Sequence, residues 1–172
     1  MGFFNGEPST NYAGIQNAAT VASLIYHGPA MAPFFGAYRN TFHYKAWSLS
    51  FNITYKMGHY FRRPGMNYSA LFDNYNGHGD FALRWQNPGD ELGTHVPSMV
   101  FPANSARDTF YSRSEVLIER GDHIRIQDIR LSYDFSSAFR SSGFLKGGQL
   151  YLFVNNAGLL WTANDQGIDP DF

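Results

Sequence analysis

The feature that most constrains the fold is an alternation of side chains along residues 47–61. Large apolar side chains occupy one set of alternate positions, namely Trp47, Leu49, Phe51, Ile53, Tyr55, Met57 and Phe61. Small, polar or charged residues occupy the other set, namely Ser48, Ser50, Asn52, Thr54, Lys56, Gly58 and Arg62. A period of two sends successive side chains to opposite faces of a strand. The segment therefore predicts a strand with one apolar and one polar face.

The length of this run favours a membrane strand. A tilted strand needs about 9–11 residues to cross a bilayer, whereas strands in globular proteins average about 5–6 residues. The run exceeds both lengths and has aromatic residues at both ends. These properties favour an outer-membrane β-barrel over a water-soluble sandwich.

Composition excludes several other classes of protein. Aromatic residues make up 17% of the 172 residues, with 17 Gly and 8 Pro, which favours strands and turns over helices. The 13 Lys and Arg nearly balance the 14 Asp and Glu, so no nucleic-acid partner is predicted. No cysteine is present, which excludes disulfides and thiol catalysis. No apolar run is long enough for a membrane-spanning helix.

The rest of the chain divides into a few strands and long loops. Residues 1–36 are rich in Gly, Pro and Asn and predict a loop-rich segment, while residues 37–172 predict barrel strands with their loops. A strand over residues 38–45 and a tight turn near Lys45 precede the long strand. From Arg62 to Ser114 we expect one long extracellular loop with a short helix over residues 68–74.

Two further strand regions follow this loop. Ile124 and Ile126 share one face, but the apolar residues from Ile129 to Phe135 are out of phase with them, which predicts a bulge near Gln127. Residues 136–148 predict a connection. A continuous apolar strand is expected over residues 150–154, with loop from Asn155 onward.

No motif in the chain predicts catalysis, a cofactor or a metal. The six histidines form no HExxH pair, and no GxSxG or phosphate-binding glycine motif is present. Asp165, Asp169 and Asp171 lie close together near the C-terminus, where an acidic loop is a simpler interpretation than a hydrolase site. We therefore predict that the chain is not an enzyme.

Aromatic residues in the predicted loops are candidates for substrate capture, because an aromatic ring can stack on a sugar or a peptide. These residues are Tyr68, Phe72, Tyr75, Trp85 and Trp161. Packing of the loop against itself is an equally good explanation for them.

Four stretches together resemble the C-terminal part of SusC/RagA-type TonB-dependent outer-membrane transporters of Bacteroidota. In order along the sequence they are FFGAYRNTFHYKAWSLSFNITYKMG, RWQNPGDELGTHVPSM, SEVLIERGDHIRIQDIRLSYDF and LYLFVNNAGLLWTANDQGIDPDF. The first is similar to a hairpin of that family, the third to one of its strands, and the last to a strand and loop near its C-terminus.

The resemblance implies part of a large transmembrane barrel in the outer membrane that imports oligosaccharides or peptides. Its implied partners are a SusD-like surface lipoprotein, TonB and the membrane lipid. The lipid-facing residues would be Trp47, Leu49, Phe51, Ile53, Tyr55 and Met57. The chain lacks a signal peptide, a TonB box, a plug domain and a closing strand, so we interpret it as a truncated fragment.

An alternative is a secreted β-sandwich that binds carbohydrate through its aromatic loops. In that case the apolar face of residues 47–61 would be buried in an internal core. The exposure of that face distinguishes the two interpretations.

Overall fold

Four long antiparallel strands form the main sheet of the protein. The computed structural model describes residues 2–136 and 147–171. The strands are β1 (Gly2–Phe4), β2 (Glu7–Ser9), β3 (Phe34–Tyr44), β4 (Trp47–Met57), β5 (Tyr60–Arg62), β6 (Ile118–Arg120), β7 (His123–Asp134) and β8 (Gln149–Thr162). The α-helices are α1 (Tyr12–Ala18), α2 (Tyr68–Asn74) and α3 (Ser105–Ser112). Short 3-10 turns lie at Val21–Ser23, Gly79–Leu83, Asp90–Leu92 and Glu115–Leu117.

The described residues divide into two compact units. Residues 28–61, 120–136 and 147–171 form the sheet unit, and residues 2–27 and 62–119 form the loop unit. The helices in the described part of the protein all fall short of the length and hydropathy needed to span a lipid bilayer.

The sheet unit is built on the order β3-β4-β7-β8. The predicted hairpin is confirmed: β3 and β4 pair without interruption from Tyr44 opposite Trp47 to Phe34 opposite Met57. Lys45 has a φ of 54°, the left-handed conformation that a tight hairpin turn requires. The fold is therefore mostly antiparallel β-sheet with few helices, as predicted in outline. Within residues 2–136 and 147–171 the sheet stays open and does not close into a barrel.

The long strand is shorter than the alternation predicts. β4 ends at Met57, and Gly58 has a φ of 81°, a conformation that favours glycine and turns the backbone out of the sheet. Phe61 belongs instead to the short strand β5. The remaining 11 residues are still enough to cross a bilayer.

The predicted bulge is confirmed. Asn52 of β4 pairs with Asp128, but the next residue, Ile53, pairs with Ile126, so Gln127 is the extra residue. The extra residue shifts the alternation of side chains by one position. Ile124 and Ile129 therefore lie on the same face of the sheet.

β8 is longer than predicted. It continues through Asn155, which we expected to begin a loop, and ends at Thr162. Asn156 and Gly158 have positive φ values, and the register with β7 shifts at this point. These irregularities break the sequence alternation, which explains why the pattern predicts loop. The predicted connection over residues 136–148 lies mostly outside the described residues.

The strand pairing gives the sheet one mainly apolar face and one mainly polar face. The apolar face consists of Tyr38, Phe42, Tyr44, Trp47, Leu49, Phe51, Ile53, Tyr55, Met57, Ile124, Ile126, Ile129, Leu131, Tyr133, Leu150, Leu152 and Val154. The polar face includes Arg39, Thr41, His43, Ser48, Ser50, Asn52, Thr54, Lys56, His123, Arg125, Asp128, Arg130, Ser132, Gln149, Tyr151 and Phe153.

The loop unit is more ordered than the sequence predicts. Helix α2 spans the predicted residues, but α1, α3 and the β1–β2 hairpin occupy segments expected to be loop. All three helices begin at an asparagine whose side chain accepts a backbone N–H: Asn11, Asn67 and Asn104. The helices are only 7 or 8 residues long, so tertiary packing must supply much of their stability.

A small apolar core supplies this packing. Its fully buried members are Met66, Tyr68, Val96, Tyr111 and Leu117. Gly65 packs against this core, because a Cβ at that position would lie 3.0 Å from side-chain atoms of Leu117 and Tyr111. The predicted loop from Arg62 to Ser114 is therefore a folded segment.

The outer strands of the sheet predict self-association. Among the described residues β3 pairs only with β4 and β8 only with β7, so both edges present unpaired backbone groups. We expect the isolated protein to form dimers or larger species in detergent-free buffer and to be monomeric in detergent micelles. Sedimentation velocity measures this directly, and a soluble monomer without detergent would contradict the prediction.

Candidate functional site

The polar face of the sheet unit forms an open groove of about 620 Å³. All four strands contribute side chains to it: Arg39, Thr41, Ser48, Ser50, Asp128, Arg130, Ser132, Gln149, Tyr151 and Phe153. Its hydroxyl, amide and charged groups can form hydrogen bonds with a polar solute or with water.

Charges in the groove are only partly paired with one another. Asp128 accepts hydrogen bonds from Arg39 at 3.0 Å and from the Asn52 amide at 3.1 Å. The guanidinium carbon of Arg130 lies 4.7 Å from the centroid of the Tyr151 ring, a cation–π contact. A cation stacked on an aromatic ring keeps its N–H donors available for a solute.

The apolar face has the opposite chemistry and is largely uncovered. Trp47, Tyr55 and Leu150 are 49%, 42% and 70% exposed. Phe51 contacts Phe42 across the strands, with ring centroids 6.0 Å apart. Asn40 is an exception on this side, and the Tyr38 hydroxyl accepts its amide N–H at 2.7 Å. The sheet unit thus presents a wide apolar surface.

The loop that follows β8 is tied to the polar face by ion pairs. Asp171 accepts from Lys56 at 2.8 Å and lies 3.3 Å from the Nε2 atom of His123. Asp169 pairs with Arg125, which also donates to Asn156. His123 and Arg125 are 1% and 4% exposed, so these contacts enclose charged and polar groups.

Hydrogen bonds within the same loop fix its shape. The Asn164 amide donates to the carbonyl of Ile168 at 2.7 Å, and its oxygen accepts the backbone N–H of Ile168 at 2.8 Å. This closed arrangement presents Asp169 and Asp171 to the strands. Asp169 and Asp171 therefore serve a structural ion-pair network.

Another acidic residue, Asp122, holds the end of β4 by hydrogen bonds. Asp122 accepts from the backbone N–H of Gly58 at 2.6 Å and from Arg120 at 2.6 Å. Partial burial alone would raise the pKa of Asp122, but these hydrogen bonds and the positive charge of Arg120 lower it overall. His59 lies nearby. Its burial lowers the pKa of its imidazole, and repulsion from His123 lowers the pKa further by a smaller amount.

Two of the five aromatic candidates are more buried than the sequence predicts. Tyr68 is fully buried and donates its hydroxyl to the carbonyl of Pro97 at 2.6 Å, so its ring belongs to the core of the loop unit. The ring of Phe72 packs edge-on against Phe101 at 5.2 Å, and Phe72 itself is half-buried. Both residues pack helix α2 against its surroundings, and a role for either ring in substrate capture stays a prediction.

The other three candidates have different surroundings. Tyr75 is 91% exposed at the end of α2, where it adopts the left-handed conformation. Trp85 is half-buried, and its indole N–H donates to the carbonyl of Thr94 at 2.6 Å. Trp161 lies on strand β8 opposite Ile124, not in a loop. A role for Tyr75, Trp85 or Trp161 in substrate capture stays a prediction.

The ionic residues of the polar face were not predictable from the sequence. Lys56, His123 and Arg125 occur at ordinary strand positions, and no local motif marks their pairing with residues that follow more than forty positions later. The sequence signal that these residues do carry is the alternation of apolar and polar side chains along β4 and β7, which places all three on the polar face. Among the described residues no group of three or more His, Asp or Glu side chains could hold a metal ion.

Comparisons with solved structures identify similar folds. At 19% sequence identity and a TM-score of 0.56, a chain of the RagAB peptide importer in its open-open state matches 90% of this chain and 16% of that one. The closed-closed state gives the same values. A structure of the RagAB peptide transporter matches at 19% identity and a TM-score of 0.55, covering 85% of this chain and 15% of that one.

This similarity concerns the fold. No protein-family model matches the chain, and no curated protein matches it. The chain spans about 16% of the length of the importer chain in the open-open state. Its fold is therefore similar to a part of proteins described as a peptide importer and a peptide transporter.

The ion pairs of the C-terminal loop predict a loss of stability in acid. Burial alone would raise the pKa of Asp171, but the hydrogen bond from Lys56 and the nearby positive charges lower it below the ordinary value of 3.8. A carboxyl group with a lowered pKa contributes stability above that ordinary value, and the contribution disappears as pH falls through the folded-state pKa. We expect Asp171→Asn to lower Tm at pH 7 and to have a smaller effect at pH 3.

Thermal unfolding of the full-length protein in detergent, followed between pH 3 and pH 7, measures this difference. Asp165→Asn is the control, because Asp165 is exposed in the same loop and takes no part in these ion pairs. An equal Tm difference for Asp171→Asn at both pH values would contradict the prediction.

Proposed function

We propose that this chain forms part of an outer-membrane, TonB-dependent nutrient importer of the SusC/RagA type. The observation on which the proposal rests is the pair of faces on the main sheet. Strands of 11 to 14 residues carry a continuous apolar face that is partly exposed and a polar face with a groove. In a membrane barrel the apolar face contacts lipid and the polar face lines the lumen.

The lengths of the connections support an orientation. β3 and β4 are joined by the short turn at Lys45, and short turns lie on the periplasmic side of such barrels. At its other end β4 leads into residues 62–119, which belong to the loop unit. Long loops are extracellular in these barrels, so we assign the loop unit to the cell exterior.

The substrate and the partners follow from the same proposal. The similar structures are described as a peptide importer and a peptide transporter, which supports a peptide as the imported solute, with an oligosaccharide as the second possibility. A SusD-like surface lipoprotein would cover the extracellular side. TonB would drive transport through a contact outside these 172 residues. Edge strands β3 and β8 would pair with further strands of the barrel.

The sandwich alternative requires the apolar face to be buried. Trp47, Leu49 and Tyr55 would then lie against a second sheet, but they are 49%, 40% and 42% exposed. The exposure of β4 therefore favours the membrane interpretation.

Accessibility of neighbouring residues on β4 tests the proposal. The sequence has no cysteine, so Ile53→Cys and Thr54→Cys each give one site for a nitroxide label, on opposite faces. In lipid vesicles we expect the label at Ile53 to collide mainly with oxygen, which concentrates in lipid. The label at Thr54 should collide mainly with a water-soluble nickel complex. A label at Ile53 that neither reagent reaches would support the sandwich, and water access at both sites would exclude a lipid face.

A charge on the apolar face should destabilise the membrane form. Phe51→Arg places a cation near the middle of β4, and we expect it to lower the free energy of unfolding by about 2–4 kcal/mol. Ser48→Arg is the control, since it lies on the polar face between His43 and Ser132 and should have a much smaller effect. Urea unfolding in lipid vesicles measures both values, and equal losses would contradict a lipid-facing Phe51.

A further inference from the structure

The loop unit contains a cavity of about 570 Å³ that combines aromatic and ionisable walls. Phe3, Trp85 and Phe110 supply aromatic rings, and His95, Arg107 and Glu115 supply the ionisable groups. Trp85 already uses its indole N–H to bond Thr94, so its ring offers only apolar contact. Such a mixture of apolar lining and a few polar groups is typical of a small-molecule site.

Arg107 is the unusual member of this cavity. It is only 9% exposed, and within the described residues its Nε and Nη2 atoms are buried without a hydrogen-bond partner. A buried guanidinium that lacks an anion is costly, because burial removes the water that solvated its charge. The fold therefore holds a cation whose Nε and Nη2 donors are unused.

The surroundings of Arg107 position its guanidinium without neutralising it. Its backbone N–H donates to the Asn104 side chain at 3.1 Å, which fixes the first turn of α3. Its guanidinium carbon lies 5.2 Å from the centroid of the buried Tyr68 ring. Neither contact neutralises the positive charge of the guanidinium.

Asp108, the next residue in the sequence, and Glu115, in the wall of the cavity, both have other partners. Asp108 accepts from the backbone N–H and from the hydroxyl of Ser69, both at 2.8 Å. Glu115, in the wall of the cavity, lies 3.4 Å from His27 and has a side chain that is 55% exposed. The charge on Arg107 thus lacks a compensating ion pair.

We propose that this cavity binds an organic carboxylate whose apolar or aromatic remainder packs against Phe3, Trp85 and Phe110. Arg107 lines the cavity, and the carboxylate would accept hydrogen bonds from its guanidinium as a charge-assisted pair. The C-terminus of a peptide and an acidic side chain share this chemistry. The site deepens the proposed import function, on which its biological role rests, by giving the substrate a required charge.

Fluorescence of Trp85 tests the site directly. In the full-length protein with Trp47→Phe and Trp161→Phe, emission reports Trp85 alone. The probes are N-acetyl-phenylalanine, which has a terminal carboxylate, N-acetyl-glutamyl-phenylalaninamide, which has a side-chain carboxylate, and the neutral N-acetyl-phenylalaninamide. We expect at least one acidic probe to bind about tenfold more tightly than the neutral one, as expected for a charge-assisted pair. The tighter acidic probe identifies the source of the carboxylate.

Two variants assign the effect to Arg107. Arg107→Gln should remove the preference for acidic probes, whereas Arg113→Gln should retain it, because Arg113 is exposed at the end of α3 and outside the cavity. Equal affinity for acidic and neutral probes in the protein that retains Arg107, or a preference that survives Arg107→Gln, would overturn the proposal. The first comparison needs no change at position 107, so it decides the question even where Arg107→Gln unfolds.

The outcome of the Trp85 fluorescence experiment is independent of the accessibility experiment on β4. Absence of binding would remove the carboxylate site and leave the lipid contact of Ile53 unaffected. A water-exposed label at Ile53 would contradict the importer and leave the binding data standing.

Discussion

Pairing of β4 on both sides is the constraint on which the sheet depends. Because β3 and β7 both align with β4 in antiparallel register, side chains directly opposite each other must share a face. The alternating apolar and polar positions of β4 therefore decide which side chains of β3 and β7 lie on the same face as its apolar residues. The bulge at Gln127 keeps this arrangement, since without it Ile129 and Ile124 would lie on opposite faces. One extra residue thus preserves an apolar face across four strands.

Such a face cannot remain in water without consequence. Full burial of one large apolar residue contributes about 1.5–3 kcal/mol, and the net stability of a domain is only about 5–15 kcal/mol. Leu150, Leu152 and Tyr55 are each more than two-fifths exposed, at 70%, 65% and 42%. A patch of this kind marks a surface that contacts another partner or a membrane. The loop unit contrasts with it, because it buries its own core around Tyr68 and Leu117.

Elements that depend on local pattern were predictable from the sequence. Helix α2, the turn at Lys45 and the bulge at Gln127 each leave a signal within a few residues. Contacts between distant segments leave no such signal, so the sequence did not reveal that Asp169 pairs with Arg125 or that Tyr68 is buried. β8 was underestimated for a related reason, since its irregular register hides the alternation beyond Val154.

The cationic residues of the groove and of the loop unit differ in burial and in pairing. Arg39 in the groove has a side chain that is 62% exposed and is partly neutralised by Asp128, so a solute there competes with water and with an existing partner. Arg107 is buried without such a partner, and an anion that reaches it gains a stronger interaction in less polar surroundings. An anionic solute at the proposed Arg107 site would therefore be distinguished from a neutral one more strongly than a solute in the groove.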